Sequence, residues 1–274
     1  MDIATGSALW RFAFALGGLV AWLILESWRP FRVPVQSRLS RYAINLSIAG
    51  VNALLLSVLL GGFLLTWSHQ VMVAQTGLFN LVGLGGEANV VASVVVMDLV
   101  FYGVHRANHA VPVLWRFHRA HHSDLDLDAT TAIRFHPGEV LISTLIKLPA
   151  IWALGVSPLG LVSFEVGLLA AAQFQHSNLR VPEPYETIVR RILVTPNMHR
   201  IHHSTVRGEY NSNFSTILSV WDRVLGTYHM NVRQEDIRIG LLEYQEPRAV
   251  SLPRVVWMPF AGRCSPTGPE NPVS

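Results

Sequence analysis

Three stretches of this chain are long and apolar enough to cross a lipid bilayer, and no other feature limits the possible folds as strongly. The first runs from about Ala8 to Leu25, interrupted only by Arg11. The second covers Tyr42 to Thr66 without a charge, and the third covers Ala88 to Tyr102 with Asp98 its one charge. Each approaches the ~20 residues needed to span ~30 Å of hydrocarbon. The first run lacks a basic leader and a small-residue cleavage site, so it is expected to remain as an anchor. A fourth stretch, Val140 to Phe174, carries Lys147, Pro149, Pro158 and Glu165, and reads as two short helices joined near Ser157-Pro158. Composition agrees: 14% of residues are charged, against about 25% in an average soluble domain.

Loop charge gives the orientation. Four arginines lie between Arg29 and Arg41, no Lys or Arg between Trp67 and Asn89, four arginines in 105–137 and ten in 176–254. That alternation places Arg29–Arg41 and everything from His105 onward on the cytoplasmic side. Cys264 is the only cysteine, which excludes an intrachain disulfide and any cysteine-built zinc or iron–sulfur cage. A net charge of +3, with Lys147 the only lysine, does not point to nucleic acid.

The histidines carry the chemistry. His105 and His109 are four residues apart. His118, His121 and His122 form His-x2-His-His, and His199, His202 and His203 repeat it. With 12 histidines in 274 residues that pattern should arise about 0.02 times by chance, and it arises twice. On a helix, positions i, i+3 and i+4 share a face, so each cluster aims several imidazoles at one place. Neutral imidazole suits Zn, Cu, Fe and Ni. Eight clustered histidines exceed the four ligands of one tetrahedral zinc, so two ions with four or more nitrogens each is the economical reading. A pair of redox metals beside an apolar cavity suits activation of O2 against a C–H bond, and an all-nitrogen shell fits iron better than calcium or magnesium. Lone residues such as His69 and His229 read as ordinary histidines.

Several runs together resemble the fatty acid hydroxylase/sterol desaturase superfamily of membrane di-iron oxygenases. They are Asp98-x3-Tyr102-x2-His105-Arg-x2-His109, Leu114-Trp-Arg-Phe-His118-Arg-Ala-His121-His122-Ser123 and Thr130-Thr-Ala-Ile-Arg134-Phe-His136-Pro137-x-Glu139. Gln175-His176-Ser-Asn178, Thr195-Pro-Asn-Met-His199-Arg-Ile-His202-His203-Ser204 and Trp221-Asp-Arg-Val-Leu-Gly226-Thr follow in order. The resemblance covers about 95–230. It departs at Asn213-Phe214-Ser215, where the family usually shows Asn-Tyr-Gly, which bears on that turn and not on the ligand set. It implies two iron ions, a di-iron centre, held by His105, His109, His118, His121, His122, His199, His202 and His203. His176 is implied as a ninth ligand, while His136 either ligates or positions a ligand. It also implies a lipid substrate (sterol, fatty-acyl or alkylglycerol type), O2 and an external electron-transfer protein, with hydroxylation and desaturation both open. The Thr130 and Thr195 contexts lean towards the sterol desaturase and alkylglycerol monooxygenase branches.

The expected architecture is an all-α integral membrane bundle with a cytoplasmic histidine-rich metal-binding cap. Residues 1–94 hold the N-terminal spans (about 8–28, 42–66 and the start of a third). Residues 95–230 form the catalytic region, with a membrane hairpin at about 139–175, and 231–274 a cytoplasmic tail, rich in Pro, Gly and Ser after about Ala261. Asp98 and Glu139 are candidates for orienting ligand histidines, Asp98 alternatively for a helix–helix hydrogen bond. Arg134 is a candidate partner of Glu139, and Glu165 a weaker member of the same set. Asp124, Asp126 and Asp128 lack the Gly and terminal Glu of an EF-hand loop and read as a solvated face. Asn197 and Asn213 are polar ligands or caps, and Trp10, Trp22, Trp28 and Trp67 read as interfacial anchors. The rivals are a histidine-lined metal transporter, which needs polar residues within its spans, a haem-binding membrane cytochrome and an inactive family member.

Overall fold

The computed structural model describes residues 3–60 and 62–261, with side chains from Ala13 onward. The side chains of Trp10 and Arg11, together with Cys264 and the tail beyond Ala261, lie outside the described residues. The chain is all-helical there: α1 (Ile3–Trp28), α2 (Arg38–Leu60), α3 (Phe63–Val73), α4 (Leu78–Leu81), α5 (Gly86–Ala110), α6 (Pro112–His122), α7 (Pro137–Leu154) and α8 (Pro158–His176) come first. The shorter α9 (Glu183–Val189), α10 (Pro196–His202), α11 (Arg207–Tyr210), α12 (Val220–Val224) and α13 (Leu252–Trp257) follow. Among the described residues only isolated β-bridges form, with no strand.

Helices α2, α5 and α7 are long and apolar enough to cross a membrane, and Ala13–Trp28 of α1 is a shorter apolar helix. The run from Tyr42 to Thr66 is therefore shared between two helices. Gly62 caps α3 at φ 85, a left-handed conformation that glycine adopts without a Cβ penalty, so α2 stops at Leu60. The fourth apolar run is the helix pair α7–α8, turned at Gly155 to Ser157. Gly155 ends α7 at φ 76, and a Cβ there would lie 2.8 Å from the Thr76 carbonyl. Ser157 then caps α8 by accepting from the Gly160 amide at 3.1 Å.

Proline sets where four of the helices begin. Pro112, Pro137, Pro158 and Pro196 each sit in the first turn of α6, α7, α8 and α10, where a missing N–H costs nothing. Helix α5 packs chiefly on α8, and Val111, extended at φ −97 and ψ 117, separates it from α6, which also packs on it. Met97, Phe79, Ile151, Leu161 and Phe164 bury the α5–α7–α8 core. A second core joins Ile44 and Ile48 of α2 and Ala120 of α6 to Val250, Val255 and Met258. The described end of the chain thus packs against α2 and α6 instead of trailing away. Of the Trp anchors, Trp28 is exposed, whereas Trp22 packs on Phe174 and Trp67 donates to the Leu148 carbonyl at 3.1 Å.

Candidate metal centre

Four helices bring nine histidines together in two abutting groups. His105, His109, His118, His122 and His202 form one, and His121, His176, His199 and His203 the other; within each group the potential ligand atoms all lie within 4.8 Å of one another. Each His-x2-His-His segment is divided between them. On α6 the i, i+4 pair His118 and His122 turns to the first group and His121 to the second. At α10 the pair His199 and His203 turns to the second and His202 to the first. Helix α5 adds His105 and His109 to the first group, and the last residue of α8, His176, completes the second. All nine are buried, and the groups touch where the His122 and His203 rings stack with centroids 4.4 Å apart.

Ring orientation is set from outside. His105 Nδ1 donates to the Phe214 carbonyl at 2.8 Å, His202 Nδ1 to the Ser212 carbonyl at 2.8 Å, and His176 Nδ1 to the Ala172 carbonyl at 2.7 Å. His118 Nδ1 meets Glu139 Oε1 at 2.6 Å, and Asn108 Nδ2 donates to that same oxygen at 3.1 Å. Carbonyl and carboxylate oxygens only accept, so these rings carry their proton on Nδ1 and present the Nε2 lone pair inward. This is the usual way an outer partner fixes a ligand's tautomer. Burial, then the neighbouring histidines, holds His121, His122, His199 and His203 well below 6.5, and burial brings His202 down to about 3. They are neutral at pH 7, the form that ligates.

The donor set fits metal ions. His118 and His202 Nε2, both nitrogens of His109 and His122, and Nδ1 of His121, His199 and His203 are buried without a partner. Leaving such atoms unsatisfied costs about 1–3 kcal/mol each, and bound ions would relieve Nε2 of His118 and His202 and one nitrogen each of His109 and His122. In the second group, Nε2 of His176 lies 3.1 Å from that of His121 and 2.9 Å from that of His199, whose own Nε2 is 3.1 Å from that of His203. Bonds of about 2.0–2.1 Å, as zinc makes to nitrogen, separate ligands at right angles by roughly 2.9 Å.

His136 stands apart from both groups. Its Nδ1 accepts from the Gly138 amide at 3.0 Å, capping α7, and its Nε2 donates to the Val256 carbonyl at 3.1 Å. With both nitrogens engaged it positions the start of α7, and with it Glu139. Asp98 touches no histidine and joins no two spanning helices. It accepts from Thr216 Oγ1 (2.7 Å), the amides of Ile217 (3.0 Å) and Leu218 (2.9 Å), and Trp221 Nε1 (2.8 Å). Arg134 does not pair with Glu139; it donates to the Ala120 carbonyl, Asn45 Oδ1 and Ser123 Oγ. Glu165 pairs with Lys147 at 3.0 Å inside the hairpin.

Asp124, Asp126 and Asp128 are buried, which corrects the expectation of a solvated face. The reason is Arg41, at the start of α2: its guanidinium meets Asp124 at 2.9 Å and Asp128 at 2.5 Å. Burial alone would raise the Asp124 carboxyl, but Arg41 and Arg134 hold it well below the usual range. Asp126 accepts from the amides of Val35 and Gln36, each at 2.9 Å. Asn197 Oδ1 accepts from Arg200, and Asn213, at φ 53, braces its turn through the Met198 and His229 carbonyls; neither joins a histidine group. Asp222 was missed from sequence, although it lies in the Trp221-Asp-Arg run. It accepts from the amides of Phe214 (2.7 Å) and Ser215 (3.0 Å) and from Thr227 Oγ1 (2.7 Å). So it fixes the turn whose Phe214 carbonyl orients His105, despite the departure at Phe214-Ser215.

Comparison with known proteins agrees with this geometry. Residues 90–227 match the family model described as Fatty acid hydroxylase. The ornithine lipid hydroxylase OlsE of Rhizobium tropici is 35% identical over 166 residues, 56% of this chain and 45% of that protein. Human alkylglycerol monooxygenase is 29% identical over 146 residues, 53% of this chain and 31% of that protein. A very-long-chain aldehyde decarbonylase of Oryza sativa is 26% identical over 141 residues, 48% of this chain and 21% of that protein. The matches thus span less than half the length of these curated relatives. No solved structure matches. With the family model covering half of the sequence and all nine grouped histidines inside it, this chain belongs to the fatty acid hydroxylase family.

Proposed function

We propose that this chain is a multi-pass membrane di-iron oxygenase that hydroxylates a lipid, using O2 and electrons from a separate protein, with its histidine groups on the cytoplasmic side. The observation that carries this reading is the pair of groups, five and four histidines, two of them on the membrane-length apolar helix α5. Two relatives are named for hydroxylating or oxygenating lipids, which favours hydroxylation over desaturation. A transporter is disfavoured because the two carboxylates in the interiors of α5 and α8 are engaged: Asp98 by a loop and Glu165 by Lys147.

The nine histidines would hold two irons. Iron bound there supplies O2 activation and one-electron chemistry, which an unactivated C–H bond requires. The chain's own residues prepare for it. Glu139 and the carbonyls of Phe214, Ser212 and Ala172 keep four rings in the tautomer that offers Nε2. Trp115, Phe135 and Phe214 line the groups with apolar rings against His109, His121 and His105, which keeps water from a reactive centre. Asp222 holds the turn that carries the Phe214 carbonyl.

The test is metal content per chain by elemental mass spectrometry on detergent-purified protein from iron-replete cells, followed by 18O2 labelling of lipids in membranes containing it. About two irons per chain and 18O in a lipid alcohol are expected. One metal or none, or a lipid product whose oxygen comes from water, would overturn the proposal.

A further inference from the structure

Asp98 points to an interaction surface outside the histidine groups. Between Ala88 and Val104 it is the only charged residue of α5, a helix long enough to cross a membrane. It lies six residues before Val104, about 9 Å inside the apolar segment at 1.5 Å per residue. All four of its donors come from Thr216 to Trp221. A loop from the polar half of the molecule therefore reaches back alongside the middle of a candidate span.

The outward side chains of that loop suit such a depth. Val220, Val224 and Leu225 are exposed, Val224 at 69%. They adjoin exposed Ile192 (65%) and Leu193, because Leu193 bridges Leu218 and the Ser219 amide donates to the Ile192 carbonyl. Exposed Arg191 flanks the patch, and the two charges within it find partners in the protein although Arg223 is exposed. Asp222 is buried in its turn, Arg223 donates to the Ser219 and Arg190 carbonyls, and Arg190 pairs with Glu186. An apolar rim around the short helix α12, with its hydrogen-bonding groups satisfied within the protein, is what lipid demands.

We propose that residues 192–193 and 220–225 form a wedge immersed in the bilayer, in the leaflet that carries the histidine groups, with acyl chains covering Val224 and Ile192. The inference rests on α5 crossing the membrane, and its occupant is lipid, not a second copy of this chain. Asp98 is then the anchor of the wedge: a carboxylate at that depth, costly if isolated, holds the loop through four donors.

The test uses the full chain in nanodiscs of phosphatidylcholine and phosphatidylglycerol, in a Cys264→Ser background. An environment-sensitive fluorophore is attached singly at Val224→Cys, Ile192→Cys, Leu99→Cys (on α5) or Glu243→Cys (exposed, away from the wedge). Metal content of each variant checks that the fold is kept. Labels at 224 and 192 are expected to be quenched by acyl-chain nitroxide lipids as strongly as the label at 99, and several-fold more than the label at 243. Quenching of 224 and 192 by aqueous iodide instead would overturn the wedge. Protection from both quenchers would also overturn it and point to contact with another copy. Aqueous quenching at 99 would instead show that α5 does not span, removing the premise.

Discussion

The two histidine groups differ in how they are held. Three of the five rings in the larger group, His105, His118 and His202, are oriented by an oxygen outside it. In the smaller group His176 has such a partner, whereas the Nδ1 atoms of His121, His199 and His203 have none and their Nε2 atoms crowd one another. The larger group is preorganised by the protein. The smaller depends more on a bound ion, which would take up its four clustered Nε2 lone pairs, and it has no ligand to spare. A single amino-acid pattern, His-x2-His-His, serves both settings, so the pattern specifies ligands and the surroundings specify how firmly they are held.

That contrast can be broken first at the ligands. His121→Ala leaves three nitrogens in the smaller group, and it should remove about one metal per chain and lower O2-dependent lipid oxidation by roughly a hundredfold or more, beyond the ~10–100-fold typical of outer partners. His109→Ala leaves four in the larger group and should retain more metal than His121→Ala. Equal loss in both, by elemental analysis, would mean that group size does not matter. Glu139→Ala strips His118 of its oxygen acceptor and should cost about 10–100-fold in metal affinity or activity. Glu139→Gln keeps an acceptor and should recover part of that; a silent Glu139→Ala would show that the larger group needs no outer support.

Acidification sharpens the comparison next. The folded-state values of His121, His199, His202 and His203 lie below 6.5, so the unfolded chain binds more protons and stability falls as pH drops below about 6.5. Metal-free protein should show a thermal midpoint that declines from pH 7 to 5, and metal should leave the smaller group first over that range. A flat midpoint would mean the rings are charged or hydrated in the fold. The smallest effect is expected at Phe135, whose ring stacks on His121 at 4.4 Å and 10°. Phe135→Leu should cost about 1 kcal/mol, read as a several-fold weaker affinity for one of the two metals with the other unchanged.

Much of this organisation was readable before the fold. Apolar run lengths located α5 and the α7–α8 hairpin, and Ser157-Pro158 marked its turn, because these depend on neighbours within a few residues. The nine grouped histidines were all named from their spacing or family context. What was misread depended on distant partners. Asp124 and Asp128 carry no local sign of Arg41, nor Asp126 of the Val35 and Gln36 amides, all over 80 residues away in the sequence. Asp98 reads as orienting a ligand histidine or bonding another helix, and instead holds a loop 118 to 123 residues later. Residues 250–261 looked like a tail, yet the Arg119 guanidinium donates to the Met258 and Ala261 carbonyls.

Spacing along the chain thus determined which side chains share a face, since helical geometry repeats every 3.6 residues whatever surrounds it. How the faces are shared was decided only by packing. The crossing of α5, α6, α8 and α10 sends His118 and His122 to one group and His121 to the other, and reverses the division at His199, His202 and His203. A pattern of three residues cannot encode that division, because it depends on where helices from separate parts of the chain meet.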